Sequence, residues 1–369
     1  MHFRYQEWND RLRRQDSIEG FDKLFDLFQQ LLLISSGDPS QALKWLTELD
    51  KEYKITDDME GYSIGDFIKD LEDRNFIKYD ELNDQILITA KTERGLRKKS
   101  LEEIFRNMKQ GTEGKHKTNY IGKAQDRDPE TRPWQHGDEI QNIDGVGTIT
   151  NTLKHSNLER FSLEEDDIRV HENEHYTSNA TVLMIDLSHS MILYGEDRIT
   201  PAKKVAMALS ELILSQYAKD SLDVIAFGND AWTVDIKDLP YLKVGPYHTN
   251  TQAGLELARH KLQRRKYANK QIFMITDGKP SAMFENSKLY KNSFGLDRKI
   301  VNRVLDAGVK CRRDKITITT FMIAQDPYLQ NFVRELTQAN NGRAYFASLD
   351  SLGGYIFEDY IRNRKKHVG

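Results

Sequence analysis

Apolar and polar positions alternate in three different ways along the chain. Phe21, Leu24, Phe25, Phe28, Leu31 and Leu32 recur at helical spacing, and Ala42, Trp45, Leu46 and Leu49 do so again after Gly37-Asp38-Pro39. That pattern predicts a helical hairpin. Ile64, Phe67, Ile68 and Leu71 mark a further helix face, followed by two strand-like runs, Phe76 to Tyr79 and Ile86 to Thr89, around the turn-prone Leu82-Asn83-Asp84-Gln85. Helix, strand, turn, strand is the order of a winged-helix unit, and Lys91 to Lys109 continues as a helix carrying Leu101, Ile104, Phe105 and Met108. Residues 1–110 are therefore expected to form a small, mainly helical, winged-helix-like module. From 111 to about 160, Gly, Pro, Asp, Asn and Thr occur without periodicity, which reads as linker.

Residues 161–369 follow another rule. Thr181-Val182-Leu183-Met184-Ile185 is apolar on both faces, as a central parallel strand covered by helices on each side is. Thr200-Pro201 reads as a helix start, and Ala202, Val205, Ala206, Leu209, Leu212 and Ile213 follow at helical spacing. A strand from Leu222 to Phe227 comes next. Trp232 to Ile236 lies too close behind it for a crossover and is expected to be an antiparallel edge strand. Helix (Leu255, Ala258, Leu262), strand (Gln271 to Thr276), helix (Arg298 to Lys310), strand (Ile316 to Ile323), helix (Pro327 to Gln338), strand (Arg343 to Phe346) and a closing helix from Leu352 complete the series. This alternation predicts an α/β fold, doubly wound, with a mainly parallel sheet and one antiparallel edge strand.

Composition narrows the options. Lys+Arg of 54 against Asp+Glu of 57 leaves −3, which gives no overall attraction to nucleic acid or to an anionic membrane. The helix at 91–109 is locally basic, but Glu93, Glu102 and Glu103 interrupt it. A solvated or protein-docking face is the simpler reading, and a nucleic-acid-binding regulator is kept as the alternative. The single Cys311 excludes an intrachain disulfide, and no apolar run approaches the roughly 18 residues of a membrane span. A cytoplasmic protein is expected.

Candidate chemistry gathers in loops that follow strands. Asp186-Leu187-Ser188-His189-Ser190 is a D-x-S-x-S sequence at the carboxyl end of the central strand, where open α/β sheets place their ligands. His248-Thr249-Asn250-Thr251 precedes a helix, and Asp277-Gly278 ends a second apolar strand. Carboxylates and hydroxyls are hard oxygen donors and suit a hard cation such as Mg²⁺. Other motifs fail on inspection. Gly114-Lys115 lacks the upstream Gly and following Ser/Thr of a phosphate-cradling loop, and Gly145-Val146-Gly147 is followed by Thr150 where a dinucleotide loop needs Gly or Ala. His171-Glu172-Asn173-Glu174-His175 is a literal H-E-x-x-H, but Ile168 and Val170 alternate as a half-exposed strand does and no third ligand follows. A zinc hydrolase using His171 and His175 is thus a minor alternative. His189, alternating between two inward hydroxyls, is expected to point outward.

Taken in order, these loops resemble the von Willebrand factor A (VWA) domain with its metal-ion-dependent adhesion site, the MIDAS. The resemblance implies Asp186, Ser188 and Ser190 as the first ligand group, Thr249 (with Thr251 as its rival) as the second and Asp277 as the third. It implies bound Mg²⁺, with Mn²⁺ or Ca²⁺ as alternatives. The phrases ATVLMIDLSHSM, MITDGKPSA and GRAYF further resemble bacterial proteins of the magnesium-chelatase D-subunit or CoxE-like type. That likeness implies a non-enzymatic adaptor whose metal captures a Glu or Asp of a partner, an AAA+ ATPase of the MoxR or chelatase type. Ser287 to Gly295 reads as an added loop beside Asp277. The ATPase-like domain of the chelatase D subunit is missing, so metal insertion into a porphyrin is not implied.

Overall fold

The computed structural model describes residues 20–57, 59, 61–110, 131–135, 143–155, 162–171, 178–292, 294–323, 327–348 and 351–364. The chain divides into two compact units, one of Met1–Gly111 with Ser178–Ile361 and one of Thr112–Thr177 with Arg362–Gly369.

The larger unit is built on a six-stranded sheet. Its strands are β5 (Asn179–Asp186), β6 (Ser221–Phe227), β7 (Ala231–Val234), β8 (Asn269–Thr276), β11 (Ile316–Met322) and β12 (Arg343–Phe346), in the spatial order β12-β11-β8-β5-β6-β7. Every pairing is parallel except β6 with β7, the antiparallel edge expected from the short connection. Because successive side chains of a strand face opposite ways, Leu183 and Ile185 enter one core and Val182 and Met184 the other. The helix α6 (Ile199–Gln216) and α10 (Leu352–Arg364) bury residues in the first. Helices α7 (Thr251–Gln263), α8 (Arg298–Arg313) and α9 (Pro327–Asn340) bury residues in the second. Cys311 is buried on α8, where burial pushes its thiol up to about 12.

The N-terminal residues of this unit form α1 (20–34), α2 (Pro39–Tyr53), α3 (Ile64–Asp73), the antiparallel hairpin β1 (Ile77–Asp80) with β2 (Gln85–Ile88), and α4 (Ala90–Gln110). Phe67 meets Phe21 in a tilted contact and Phe28 edge-on at its centre. Asp38 caps α2 by accepting the Gln41 amide, and Ser63 with Asp66 makes a capping box on α3. The basic helix α4 packs along α6. Arg97 pairs with Glu211 at 3.3 Å and Glu103 with Lys204 at 3.0 Å, while Ile104 lies against Gly353, where a side chain would clash. Lys203 is fully buried at this junction. Its ammonium donates to Leu33 O at 2.8 Å, and to Pro240 O, Leu242 O and Ser36 Oγ at 3.4 Å. Those oxygens offset the desolvation of a charge whose pKa burial lowers to about 8.

The smaller unit contains β3 (Thr131–Pro133) paired antiparallel with β4 (Arg169–His171), and the helix α5 (Gly145–His155). β3 and α5 lie inside the stretch read as linker. α5 forms from Gly, Val and Thr, poor helix formers, because a capping aspartate and a bond to β4 hold it. Asp144 accepts the Val146 amide at 3.1 Å, and Thr148 Oγ1 accepts the Arg169 amide at 2.9 Å. No helix among the described residues is long and apolar enough to cross a membrane.

Candidate functional site

Three loops at the carboxyl edge of the sheet come together around Gly278. The first follows β5. Asp186, fully buried, ends the strand, and its Oδ1 accepts the Ser188 amide at 2.9 Å, which turns the chain so that Ser188 and Ser190 point back toward it. Ser188 Oγ lies 3.1 Å from Ser190 Oγ, and Ser190 Oγ donates to Asp277 Oδ1 at 2.8 Å. The second loop is positioned by β6. Asn250 donates its amide to Gly228 O at 2.7 Å, and Asn229 Oδ1 accepts the His248 amide at 2.8 Å. Asn250 also caps α7, and between these anchors Thr249 is buried. The third loop follows β8 and carries the buried Asp277.

Gly278 measures how closely the donors converge. A Cβ built on it would stand 2.9 Å from Ser190 Oγ, 3.1 Å from Thr249 Oγ1 and 3.6 Å from Asp186 Oδ2. Three oxygens from the first two loops thus close on the third loop at Gly278, too tightly for any side chain there. The structure brings Asp186, Ser188, Ser190, Thr249 and Asp277 together. Thr251, the rival to Thr249, begins α7 and is not among the three atoms nearest that position. His189 is exposed, as its position between two inward hydroxyls requires.

Three residues that the sequence did not single out complete the arrangement. Thr276 Oγ1 donates to Asp186 Oδ2 at 2.6 Å, and Ser281 Oγ accepts the Thr249 amide at 3.0 Å. Arg198 Nη1 donates to Asp277 Oδ2 at 2.6 Å while Nη2 pairs with Glu196 at 2.8 Å. Its position corrects the expected helix start. α6 begins at Ile199 with Arg198 as its cap, and Asp197 Oδ1 accepts the Thr200 amide at 3.0 Å, so Thr200-Pro201 lies inside the first turn. No periodicity points to Arg198; its signal is only a cation in the loop after D-x-S-x-S.

The electrostatics are those of two buried carboxylates and one guanidinium. Burial, reinforced by the Asp277 charge, pushes the Asp186 carboxyl up to about 7, against bonds from Ser188 and Thr276 that favour ionisation. Burial, and then the Lys291 ammonium, hold the His248 imidazole below its usual value. Two carboxylates and three hydroxyls form a donor set of the kind that suits a hard, octahedral cation such as Mg²⁺. Among the described residues no group of three or more His, Cys, Asp or Glu is placed to hold a metal, so this donor set depends on its hydroxyls as well as its two carboxylates. His171 closes the strand β4 rather than opening a helix, and His175 lies outside the described residues.

Four cations of the basic helix have partners among the described residues. Arg97 is paired with Glu211, Lys99 with Asp26 at 2.6 Å and Lys98 with Glu102 at 3.8 Å, and Lys91 donates to Arg74 O at 2.8 Å. The stretch read as an added loop at Ser287 to Gly295 belongs in part to a β-hairpin, β9 (Ala282–Glu285) with β10 (Lys288–Lys291). Asn286 and Ser287 make its turn with φ of 48° and 64°, the two left-handed residues of a type I′ hairpin.

A doubly wound sheet with these loops at its carboxyl edge agrees with the family comparison: residues 179–361 match the model for the vWA domain of Rv0959-like proteins. The chain is a VWA-domain protein. Residues 126–173, just before that domain, match the model for the third domain of the same Rv0959-like proteins. The uncharacterized protein Rv0959 of Mycobacterium tuberculosis (strain ATCC 25618 / H37Rv) is 30% identical over 289 residues, covering 76% of this chain and 42% of that protein. The uncharacterized protein Mb0984 of Mycobacterium bovis gives the same figures. The chain thus spans less than half the length of these relatives. Among solved structures, the vWF domain of the type V pili tip protein Mfa5 from Porphyromonas gingivalis is similar with a TM-score of 0.44 at 13% identity, covering 53% of this chain and 98% of that one. The SpRpn10 VWA domain is similar with a TM-score of 0.36 at 16% identity, covering 47% and 93%.

Proposed function

We propose that this chain is a metal-dependent protein-binding adaptor that holds Mg²⁺ at Asp186, Ser188, Ser190, Thr249 and Asp277 and uses it to capture a carboxylate of a partner protein. The observation that carries the reading is the convergence of Ser190 Oγ, Thr249 Oγ1 and Asp186 Oδ2 on the space beside Gly278. A magnesium ion held by these two carboxylates and three hydroxyls would supply a Lewis-acidic position for an outside Glu or Asp. The protein's own groups do the positioning. Thr276 and the Ser188 amide orient the Asp186 carboxylate, Ser281 fixes the Thr249 loop, and Arg198 with Ser190 orients Asp277. No nucleophile paired with a general base accompanies these donors among the described residues, which favours binding over catalysis. The partner class, an AAA+ ATPase of the MoxR or chelatase type, rests on the resemblance of ATVLMIDLSHSM, MITDGKPSA and GRAYF to the CoxE-like group.

Titration calorimetry of Mg²⁺ into the EDTA-treated chain is the test. One ion per chain is expected for the wild type and none for Asp186→Ala; equal stoichiometry and affinity in both would overturn the metal site. Binding of a purified MoxR-type ATPase is expected to disappear in EDTA and in Asp186→Ala. Binding that survives both would remove the adaptor mechanism.

A further inference from the structure

The β9–β10 hairpin stands directly beside the donors just described. Ser281 and Ala282 donate their amides to Thr249 O at 2.9 and 3.2 Å, Thr249 returns its own amide to Ser281 Oγ, and Asn292 donates to Ser281 O at 2.8 Å. The first leg of the hairpin therefore starts against the Thr249 loop, and the chain leaving the second leg returns to Ser281. One face is fastened to α8: Tyr290 donates to Asp297 at 2.8 Å, and Lys299 pairs with Glu285 at 2.7 Å. Met283, on that face, is fully buried. In the antiparallel register Phe284 lies opposite Leu289 and Lys291 opposite Ala282, so these four share the other face.

That second face presents Phe284 and the half-buried Leu289 above the buried Ala282, with Lys291 at its edge. Phe284 is 40% exposed on it and Phe294, just beyond β10, is 89% exposed. Lys291 is also exposed, and it is close enough to His248, the neighbour of Thr249, to lower its pKa. From Gly278 to Gly295 the chain carries Lys279, Lys288 and Lys291 against the single Glu285, which is already answered by Lys299. Large exposed aromatics rimmed by like charges mark a surface for a partner rather than for water alone, and the sign of the charge selects the partner.

We infer that the hairpin face of Phe284, Leu289 and Lys291 is the specificity surface of the site, and that its occupant is an acidic protein segment with an aliphatic or aromatic side chain close to the carboxylate that seeks the metal. This rests on the metal-dependent reading above and adds to it. The metal position selects a carboxylate, Lys291 favours further acidic residues, and Phe284 with Leu289 favours an apolar neighbour over a polar one. A generic acidic surface would meet the first two demands and leave the third unmet.

The experiment uses the full chain in Mg²⁺ and three fluorescein-labelled nonapeptides, of alternating Glu and Leu, alternating Glu and Ser, and alternating Lys and Leu, read by fluorescence anisotropy. The Glu/Leu peptide is expected to bind about tenfold tighter than the Glu/Ser peptide, with the Lys/Leu peptide not binding. Phe284→Ser, at an exposed position, is expected to weaken the Glu/Leu peptide by about tenfold with Mg²⁺ affinity unchanged by calorimetry, and Lys291→Gln is expected to weaken the same peptide by several-fold, compared at saturating Mg²⁺. Equal binding of the Glu/Leu and Glu/Ser peptides, or hairpin variants that bind like wild type, would overturn the hairpin inference and leave the metal site standing. Asp186→Ala binding the Glu/Leu peptide as tightly as wild type would sink the metal-dependent reading instead.

Discussion

Replacing Arg198 with Gln separates the fold's own need for charge balance from the need for a metal. The guanidinium lies 2.6 Å from Asp277 Oδ2, with the Arg198 side chain 16% and the Asp277 side chain 0% exposed. Removing one member of a buried ion pair costs about 3–5 kcal/mol, because the remaining charge stays in a poor solvent. Arg198 also reaches Glu196, whose side chain is 58% exposed, so part of its interaction is screened by water, and about 2–3 kcal/mol is the reasonable expectation. That loss applies to the metal-free protein. In saturating Mg²⁺ the ion neutralises the same carboxylates, and the penalty shrinks. The cycle then requires Arg198→Gln to bind Mg²⁺ more tightly than wild type, by about 10- to 30-fold if most of the penalty is relieved. Urea unfolding in EDTA and in MgCl₂, together with calorimetric Mg²⁺ affinities, measures every leg. If the variant lost equal stability in both buffers and its Mg²⁺ affinity did not move, Arg198 would not be the counter-charge that stands in for the ion.

Gly278→Ala addresses the same space sterically. Its methyl would sit 2.9 Å from Ser190 Oγ and 3.1 Å from Thr249 Oγ1 at a position whose φ is not left-handed, so Mg²⁺ affinity is expected to fall by about 100-fold or more for a stability loss of about 1–3 kcal/mol; unchanged affinity by calorimetry would place the ion elsewhere. Metal-free protein should also respond to pH through Asp186. A carboxyl raised to about 7 in the folded state binds its proton more tightly there than in the unfolded chain, so the associated stability is complete below pH ~4 and is lost as pH rises through about 7, on the order of 4 kcal/mol in all. Melting temperatures in EDTA at pH 5 and pH 8 check this: the difference between wild type and Asp186→Asn should change with pH in that direction, and parallel profiles would contradict it.

What the sequence revealed followed the rules each segment obeys. Thr181 to Ile185 is apolar on both faces because β5 lies at the middle of the sheet between two cores, and the short gap before Trp232 forced an antiparallel edge. The hydroxyl and carboxylate loops were legible because strand ends are visible as the points where apolar runs stop. Other features depend on tertiary partners and leave no period. α5 has weak intrinsic propensity and is held by Asp144 and by the Arg169 amide. The β9–β10 turn uses Asn286-Ser287 where Asn-Gly would have announced it. Arg198 is one cation among many until the fold places it against Asp277.

Within the winged-helix-like front of the chain, some charges of α4 serve packing against α6. Arg97 and Glu103 of α4 are paired with Glu211 and Lys204 of α6, while Lys203 of the same helix, buried against Leu33 O, Pro240 O and Leu242 O, joins α1 to the sheet unit. At its first turn that helix presents Arg198 to Asp277. α6 is therefore the element that the N-terminal module and the candidate metal site share: its exposed-looking cations, spaced along one helix, are divided between bracing the module and balancing the charge of the site.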